Sequence, residues 1–434
     1  MNFKRRTASL LASILFITLA CCPFQVKADT TDLTPNSEAS ILIESSTGKV
    51  LFEKNGHQKM FPASTTKVMT AILTLENCDL NDTATASYKA VMSLPSGYSN
   101  AEIKVGEEME INQLLQALLV HSANEAGNVL AEHIAGSIES FATMMNTKAN
   151  ELGCQDTNFK NPSGIHEDDH YSTAYDMALI ANYAMKNDTF RKIVSSTSCT
   201  LKPTALTPNE RTFTTTNDMI NPRSRYYYKD ANGIKTGYTS EARNCLIAGA
   251  KRDNMQLISV VLSSGKTQNG LSGRDIDTKA LFDFGFENYC IEPIKHKDEI
   301  VKQIEVSHAT KETKNLDLVL ENDIPALVET DKKQEELSPE ITLNKNLSAP
   351  INKGQVVGTI KYTIGDTSYI TNLLAANVVE PSNHMKIIFQ VALAILILFF
   401  LLTFIGTVQR KKRKKYKKVS KGKHHQKKNK SFRI

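Results

Sequence analysis

Acidic residues are missing from both ends of this 434-residue chain. Neither the first 28 residues nor the last 26 contain Asp or Glu, while those ends hold 4 and 14 Lys plus Arg. The formal net charge of +6 is therefore a property of the ends. Without the tail cations it falls to −8, and without the first 28 residues as well it is −12 for residues 29–408. A basic balance of this kind gives no support for a nucleic-acid partner, and none is expected; a tail of cations alone suits anionic lipid headgroups. Cysteine is also sparse. Beyond Cys21 and Cys22, the five others (Cys78, Cys154, Cys199, Cys245, Cys290) are odd in number, far apart and without CxxC or His-rich spacing. Neither a disulfide framework nor a zinc site is indicated by that pattern. Charge is absent from Ile387 to Val408, a run of 22 residues broken only by Gln390, Thr403 and Thr407. At about 1.5 Å per residue it is about 33 Å long, the depth of a bilayer core.

Lys4, Arg5 and Arg6 precede an apolar stretch from Ala8 to Cys22, and Val26-Lys27-Ala28 has a small-x-small form. This is the layout of a secretory signal peptide, with cleavage expected after Ala28. A lipoprotein signal ending at Cys21 or Cys22 is the alternative, and the residues before those cysteines fit it poorly. Basic residues beside an apolar span favour the cytoplasmic side, so the tail is expected inside and the rest outside. The expected organisation is a signal peptide (1–28), a catalytic domain (29–291), an all-β domain (292–380), a transmembrane helix (387–408) and a basic cytoplasmic tail (409–434).

Alternation and turn chemistry predict a hairpin from Ala39–Glu44 and Lys49–Glu53. Helical spacing predicts helices after Ser64, over Ile111–Val120, Glu125–Ile134 and Ile138–Leu152, and around Thr173–Met185. Strands are expected to return at Gly233–Thr236, Asn244–Lys251 and Gln256–Leu262, with a closing helix over Asp275–Phe286. An early hairpin and late strands around a helical middle imply an α/β domain whose antiparallel sheet joins both ends of the segment and is flanked by helices. Beyond Glu292, period-two segments such as Leu316–Leu320 and Val356–Tyr362 predict the small all-β domain, with a polar break at Lys332–Pro339.

Three short motifs carry chemistry. Ser64 and Lys67 stand three residues apart at the start of a predicted helix, so a basic nitrogen would lie beside the Ser64 hydroxyl. That is one way to activate a weak nucleophile. Ser122 and Asn124 fall in a turn between two predicted helices, where either could equally cap the second helix. Lys235, Thr236 and Gly237 lie on a predicted strand that can project an ammonium and a hydroxyl to one wall, with Gly237 permitting close approach of a substrate backbone. Each motif is common alone. In this order, with 58 residues from Ser64 to Ser122 and 113 from Ser122 to Lys235, they are not.

Together with Phe61-Pro-Ala-Ser-Thr-Thr-Lys, Asn161-Pro-Ser-Gly-Ile, His170-Tyr-Ser-Thr-Ala-Tyr-Asp-Met and Asp230-Ala-Asn-Gly-Ile-Lys-Thr-Gly-Tyr-Thr, these motifs make the chain resemble the low-molecular-mass penicillin-binding proteins that are serine-type D-alanyl-D-alanine carboxypeptidases. The resemblance runs from about residue 30 to 380. It implies a β-lactamase/penicillin-binding-protein-like serine acyltransferase fold and peptidoglycan stem peptides ending in D-Ala-D-Ala as substrates. It also implies β-lactam antibiotics as covalent inhibitors, and no cofactor or metal. In that family's terms Ser64 is the nucleophile and Lys67 its base, made neutral by burial and by Lys235. Ser122 relays the proton, and Asn124 orients Lys67 and the substrate amide. Lys235 and Thr236 hold the terminal carboxylate, with Arg274 as a further contact or else exposed to solvent. The backbone N–H groups of Ser64 and Tyr238 form the oxyanion hole, and Asp176 is structural. A class A β-lactamase would need a Glu-x-x-x-Asn element between the second and third motifs; none of the glutamates from Glu132 to Glu210 has an Asn at that offset. A penicillin sensor would need an effector domain larger than a 26-residue tail. A transpeptidase shares the acyl-enzyme and differs only in the acceptor.

Overall fold

A computed structural model describes residues 32–330, 338–364 and 367–428. The expected signal peptide, its cleavage site and the lipidation alternative lie outside these residues, as do most of the Lys332–Pro339 break and the end of the tail. The chain divides into two compact units, one up to Asn288 and one from Tyr289.

The first unit is built on a five-stranded antiparallel sheet. Strands β1 (Ser37–Glu44) and β2 (Val50–Lys54) form the expected hairpin. The two-stranded ribbons β3 (Thr83–Thr85) with β4 (Glu108–Glu110) and β5 (Ser198–Leu201) with β6 (Arg211–Thr214) were not anticipated. Strands β7 (Ala231–Thr239), β8 (Arg243–Arg252) and β9 (Met255–Ser264) complete the main sheet in the order β2-β1-β9-β8-β7. The residues closing the sheet, β1 and β9, are more than 200 positions apart in sequence, with Ser37 opposite Ser264. Nearly every residue of β9 and the central six of β8, Cys245–Ala250, are buried, which explains their unbroken apolar runs. β7 is left at an edge.

Helices cover the sheet: α1 (Lys67–Asn77), α2 (Tyr88–Met92), α3 (Ile111–Gln116), α4 (Asn124–Ala135), α5 (Ile138–Glu151), α6 (Ala174–Ala184), α7 (Asp188–Val194) and α8 (Gly273–Asn288). One apolar cluster joins Ile41 and Val260 of the sheet to Met69, Leu118, Leu130 and Phe141 of the helices. The helix expected over Ile111–Val120 is corrected in one respect. It is α-helical only to Gln116 and widens to π geometry over Ala117–His121. The extra residue in that turn ends the helix with Ser122 in the left-handed region, φ 70°, rather than at a cap.

The second unit is all-β up to Ala375. Strands β10 (Tyr289–Lys295) and β13 (Ile324–Glu329) pair, and β11 (Ile300–Glu305), β12 (Asn315–Leu320), β14 (Glu340–Leu343), β15 (Val356–Ile364) and β16 (Thr367–Ala375) form a sheet ordered β11-β12-β16-β15-β14. Leu316, Leu318, Val357, Ile360, Tyr362 and Leu373 fill its core. Helix α9 (Asn383–Lys428) follows. Its Lys386–Lys411 segment is the one stretch among the described residues long and apolar enough to cross a membrane, and none of it is buried within the protein.

Candidate active site

The Ser64 segment is not yet α-helix. Ala63–Thr66 forms a 3-10 turn that runs directly into α1, so Ser64 precedes the helix and Lys67 is its first residue. The turn is held from two sides by glycines. Ala63 has φ 47°, and a Cβ on Gly164 would lie 1.8 Å from its carbonyl oxygen. A Cβ on Gly237 would lie 3.0 Å from the Ser64 backbone nitrogen and 3.1 Å from the Pro62 carbonyl oxygen. The close approach that Gly237 permits is therefore first of all that of the protein's own nucleophile turn, which packs onto edge strand β7. From behind, His170 Nδ1 accepts the Lys160 N–H at 3.1 Å, so its Nε2–H donates to Thr66 Oγ1 at 2.9 Å. Burial pushes the His170 pKa down to about 3, which keeps the ring neutral.

Lys67 is fully buried, and its Nζ has three partners: Ser64 Oγ at 2.8 Å, Asn124 Oδ1 at 2.7 Å and the Ser163 carbonyl oxygen at 2.8 Å. The Asn124 orientation is fixed because its Nδ2 donates to the Ser99 carbonyl at 2.8 Å. Two of the three partners can only accept. A neutral Lys67 must spend both its N–H bonds on Asn124 and Ser163, leaving its lone pair toward the one partner able to donate, the Ser64 hydroxyl. Burial is the main cause holding the Lys67 pKa well below the ordinary lysine value; the Lys235 charge adds to it, and Glu125 opposes it.

Lys235 is likewise buried, its pKa lowered to about 7 by burial and by Arg274. Its Nζ donates to the Thr236 carbonyl at 3.0 Å, and the Thr236 hydroxyl shares a hydrogen bond of 2.6 Å with Thr216. Arg274, in the first turn of α8, has a side chain only 14% exposed and lies 3.5 Å from Asp275, so the solvent-exposed alternative does not hold. An open cleft of about 500 Å³ gathers these groups, lined among others by Ser64, Ser122, Asn124, Thr236, Tyr238 and Arg274. Lys67 lies beneath it, held by Ser64 and Asn124. The cap at the start of α4 is Ala123, without a side-chain bond, so Ser122 and Asn124 are free of the capping role that stood as their alternative. The Asn124 amide, however, is engaged at both ends within the protein. Asp176 accepts from Asp156 N–H and the Thr157 hydroxyl, a structural part as expected.

Sequence reasoning missed Ser163 and Asn161. Asn161 Oδ1 accepts from the backbone N–H groups of Ser163 and Gly164, shaping the turn that presents the Ser163 carbonyl to Lys67. The signal was the Asn161-Pro-Ser-Gly block itself, whose Asn-x-x-Gly form denotes an Asx-stabilised turn. Thr216 and Ser99 carried no signal, since one acts as a hydroxyl partner and the other through its main chain.

A buried lysine facing a serine, beneath a cleft with a second buried lysine on an edge strand, defines a serine acyl-transfer enzyme. Comparison with known proteins gives the family. Residues 25–266 match peptidase family S11, D-alanyl-D-alanine carboxypeptidase, and residues 291–381 match the C-terminal domain of penicillin-binding protein 5. D-alanyl-D-alanine carboxypeptidase DacF of Bacillus subtilis is 34% identical over 365 residues, covering 82% of this chain and 90% of its own. Among solved structures, penicillin-binding protein 5 from Haemophilus influenzae has a TM-score of 0.60 at 27% identity, covering 80% of this chain and 98% of its own. A mutant of the Streptomyces K15 DD-transpeptidase scores 0.53 at 31% identity over 58% of this chain and 98% of its own. The chain belongs to the S11 family of serine-type D-Ala-D-Ala carboxypeptidases, the low-molecular-mass penicillin-binding proteins. It acts on peptidoglycan.

Proposed function

We propose that Ser64 attacks the carbonyl between the two terminal D-alanines of a stem peptide and carries the acyl-enzyme. The observation that carries this is the three-partner geometry of Lys67, which leaves its lone pair to the Ser64 hydroxyl. As the Ser64 Oγ–carbon bond forms, the hydroxyl proton passes to Lys67 Nζ. Negative charge then grows on the carbonyl oxygen. The Ser64 and Tyr238 backbone N–H groups receive it, helped by the positive start of α1; the close approach of Gly237 to the Ser64 nitrogen supports this. When the C–N bond breaks, the amine of the departing D-alanine takes a proton through Ser122, which borders the same cleft. Lys235, Thr236 and Arg274 hold the terminal carboxylate. Water then releases the shortened peptide. A β-lactam would enter by the same attack, its ring amide replacing the peptide bond.

The apolar part of α9 is the means of membrane anchoring, with the tail inside and the two units outside, and Ala28 is the cleavage site. The neighbouring cations of the tail support that orientation. The domain limits that go with it are 29–291 and 292–380. The test uses the full chain in detergent. Release of D-alanine from a D-Ala-D-Ala peptide, and mass spectrometry placing a penicilloyl group on Ser64, are expected; a penicilloyl group on any other residue would sink the assignment. Adding an amine acceptor and finding transfer product in place of free acid would move the reading to a transpeptidase.

A further inference from the structure

The mechanism above uses no carboxylate, yet one is buried beside it. Glu125 follows Asn124 at the start of α4 and is 2% exposed; burial raises its pKa above the usual carboxylate value, while the loop N–H groups and the charge of Lys67 favour its carboxylate, as that carboxylate favours the Lys67 ammonium. Its Oε1 accepts the backbone N–H groups of Ala101 (2.5 Å) and Ile103 (3.5 Å), and its Oε2 has no partner. A buried carboxylate oxygen without a partner costs stability and calls for a reason.

The surrounding charges supply one. Once Lys67 takes the proton, three basic groups, Lys67, Lys235 and Arg274, lie in or near one cleft. Arg274 has Asp275 beside it. Arg211 braces the same loop, donating to the Ala101 and Glu102 carbonyls at 2.9 and 3.0 Å, but its charge is met by Glu107 at 2.6 Å. His170 is neutral, and burial likewise lowers the pKa of His121. Lys67 itself touches only uncharged oxygens. Among the groups whose charge acts on Lys67, Glu125 is the one that favours its ammonium form.

We propose that Glu125 is a positioning residue whose carboxylate, clamped by the 101–103 loop, is the counter-charge to the ammonium Lys67 becomes on taking the Ser64 proton. This rests on Lys67 being the base. The proton moves from Ser64 Oγ to Lys67 Nζ as the Oγ–carbon bond forms, and Glu125 takes none of it. Without that carboxylate the new ammonium would form next to Lys235 among neutral dipoles alone, and Lys67 would be a weaker base. The same side chain ties the loop that continues into Ser99 to the helix that carries Asn124, so charge and cleft wall are set together.

The test is the second-order rate of penicillin acylation as a function of pH, measured on the full chain in detergent. Glu125→Gln keeps an acceptor for the loop N–H groups and removes the charge. Its acid limb is expected to move to lower pH by about one unit, and its plateau to fall several-fold because a weaker base drives the step. Glu107→Gln, which loosens the same loop away from Lys67, is expected to lower the melting temperature and leave the limb in place. A limb that coincides with wild type in Glu125→Gln, or moves equally in Glu107→Gln, overturns the proposal. If Glu125→Gln does not fold, Glu125→Asp decides: with the charge kept, the limb should stay while the rate falls, and a limb displaced by a unit refutes the counter-charge role. A wild-type profile with no acid limb would fail the Lys67 reading itself, and the proposal with it.

Discussion

In the proposed role Lys235 must be an ammonium to bind the terminal carboxylate, yet burial and Arg274 bring its pKa down to about 7. Above that value the free enzyme would progressively lose the group proposed to read the substrate's terminus. One pH unit above it, about a tenth of the free enzyme keeps the proton, and two units above, about a hundredth. Because kcat/KM reports the free enzyme, it should fall about tenfold per unit on the alkaline side of 7. A bound carboxylate next to the same nitrogen favours the charged form, so kcat should hold its plateau to higher pH. Binding at pH 8 should therefore take up close to one proton per substrate, about 0.9 on this reckoning. The assay is D-alanine release from a D-Ala-D-Ala peptide between pH 5 and 10. Binding calorimetry of Ser64→Ala with that peptide, in buffers of different ionisation enthalpy, counts the protons. A kcat/KM that stays level to pH 9, or binding without proton uptake at pH 8, would refute the reasoning and leave Lys235 charged throughout.

Gly164→Ala should cripple acylation without touching a reacting group. The new Cβ would meet the Ala63 carbonyl at a position that already has φ 79°, and left-handed backbone alone costs an alanine about 1–2 kcal/mol. A lower melting temperature with slower penicillin labelling is expected, and normal labelling would show that the Ser64 turn tolerates the shift. Lys235→Met should do the opposite, trading activity for stability. The unfolded chain binds a proton at this lysine up to about pH 10.4, the folded one only up to about 7, so its contribution to stability is least favourable below 7 and recovers as pH rises between the two. The variant should melt above wild type at pH 6 and lose that advantage toward pH 10; equal melting at pH 6 would contradict the buried, depressed lysine.

Much of this was legible from pattern. The hairpin at Ser37–Lys54 and the three late strands announced themselves because sheet burial writes alternation or unbroken apolar runs into the chain. The short elements did not. Thr83–Thr85 with Glu108–Glu110 is too brief for periodicity, and α7 is only seven residues. At the site, Ser64, Lys67, Ser122, Asn124, Lys235 and Thr236 were readable from motif order, while Asn161 and Thr216, which also act through side chains, stand outside those motifs and were not. The groups that act through the main chain, the carbonyls of Ser163 and Ser99, were not, since any residue type offers a carbonyl. Neither was the π turn that delivers Ser122, because one additional residue leaves the apolar spacing of Leu114, Leu115 and Leu118 close to that of an ordinary helix.

β7 ends the main sheet, and an open edge of nine residues is ordinarily a hazard, a template for another copy of the chain. In the proposed reaction the same edge would give the strand a use, since an extended peptide laid beside it would be read through main-chain bonds that take no account of side chains. Recognition of that kind would be strict about ends and indifferent to middles: a free carboxylate at Lys235 and a small residue beneath the Ser64 turn, with few demands farther upstream. The molecule would then act on any wall strand end of the right shape, and its choice of substrate would be governed by where α9 holds it more than by what the cleft refuses.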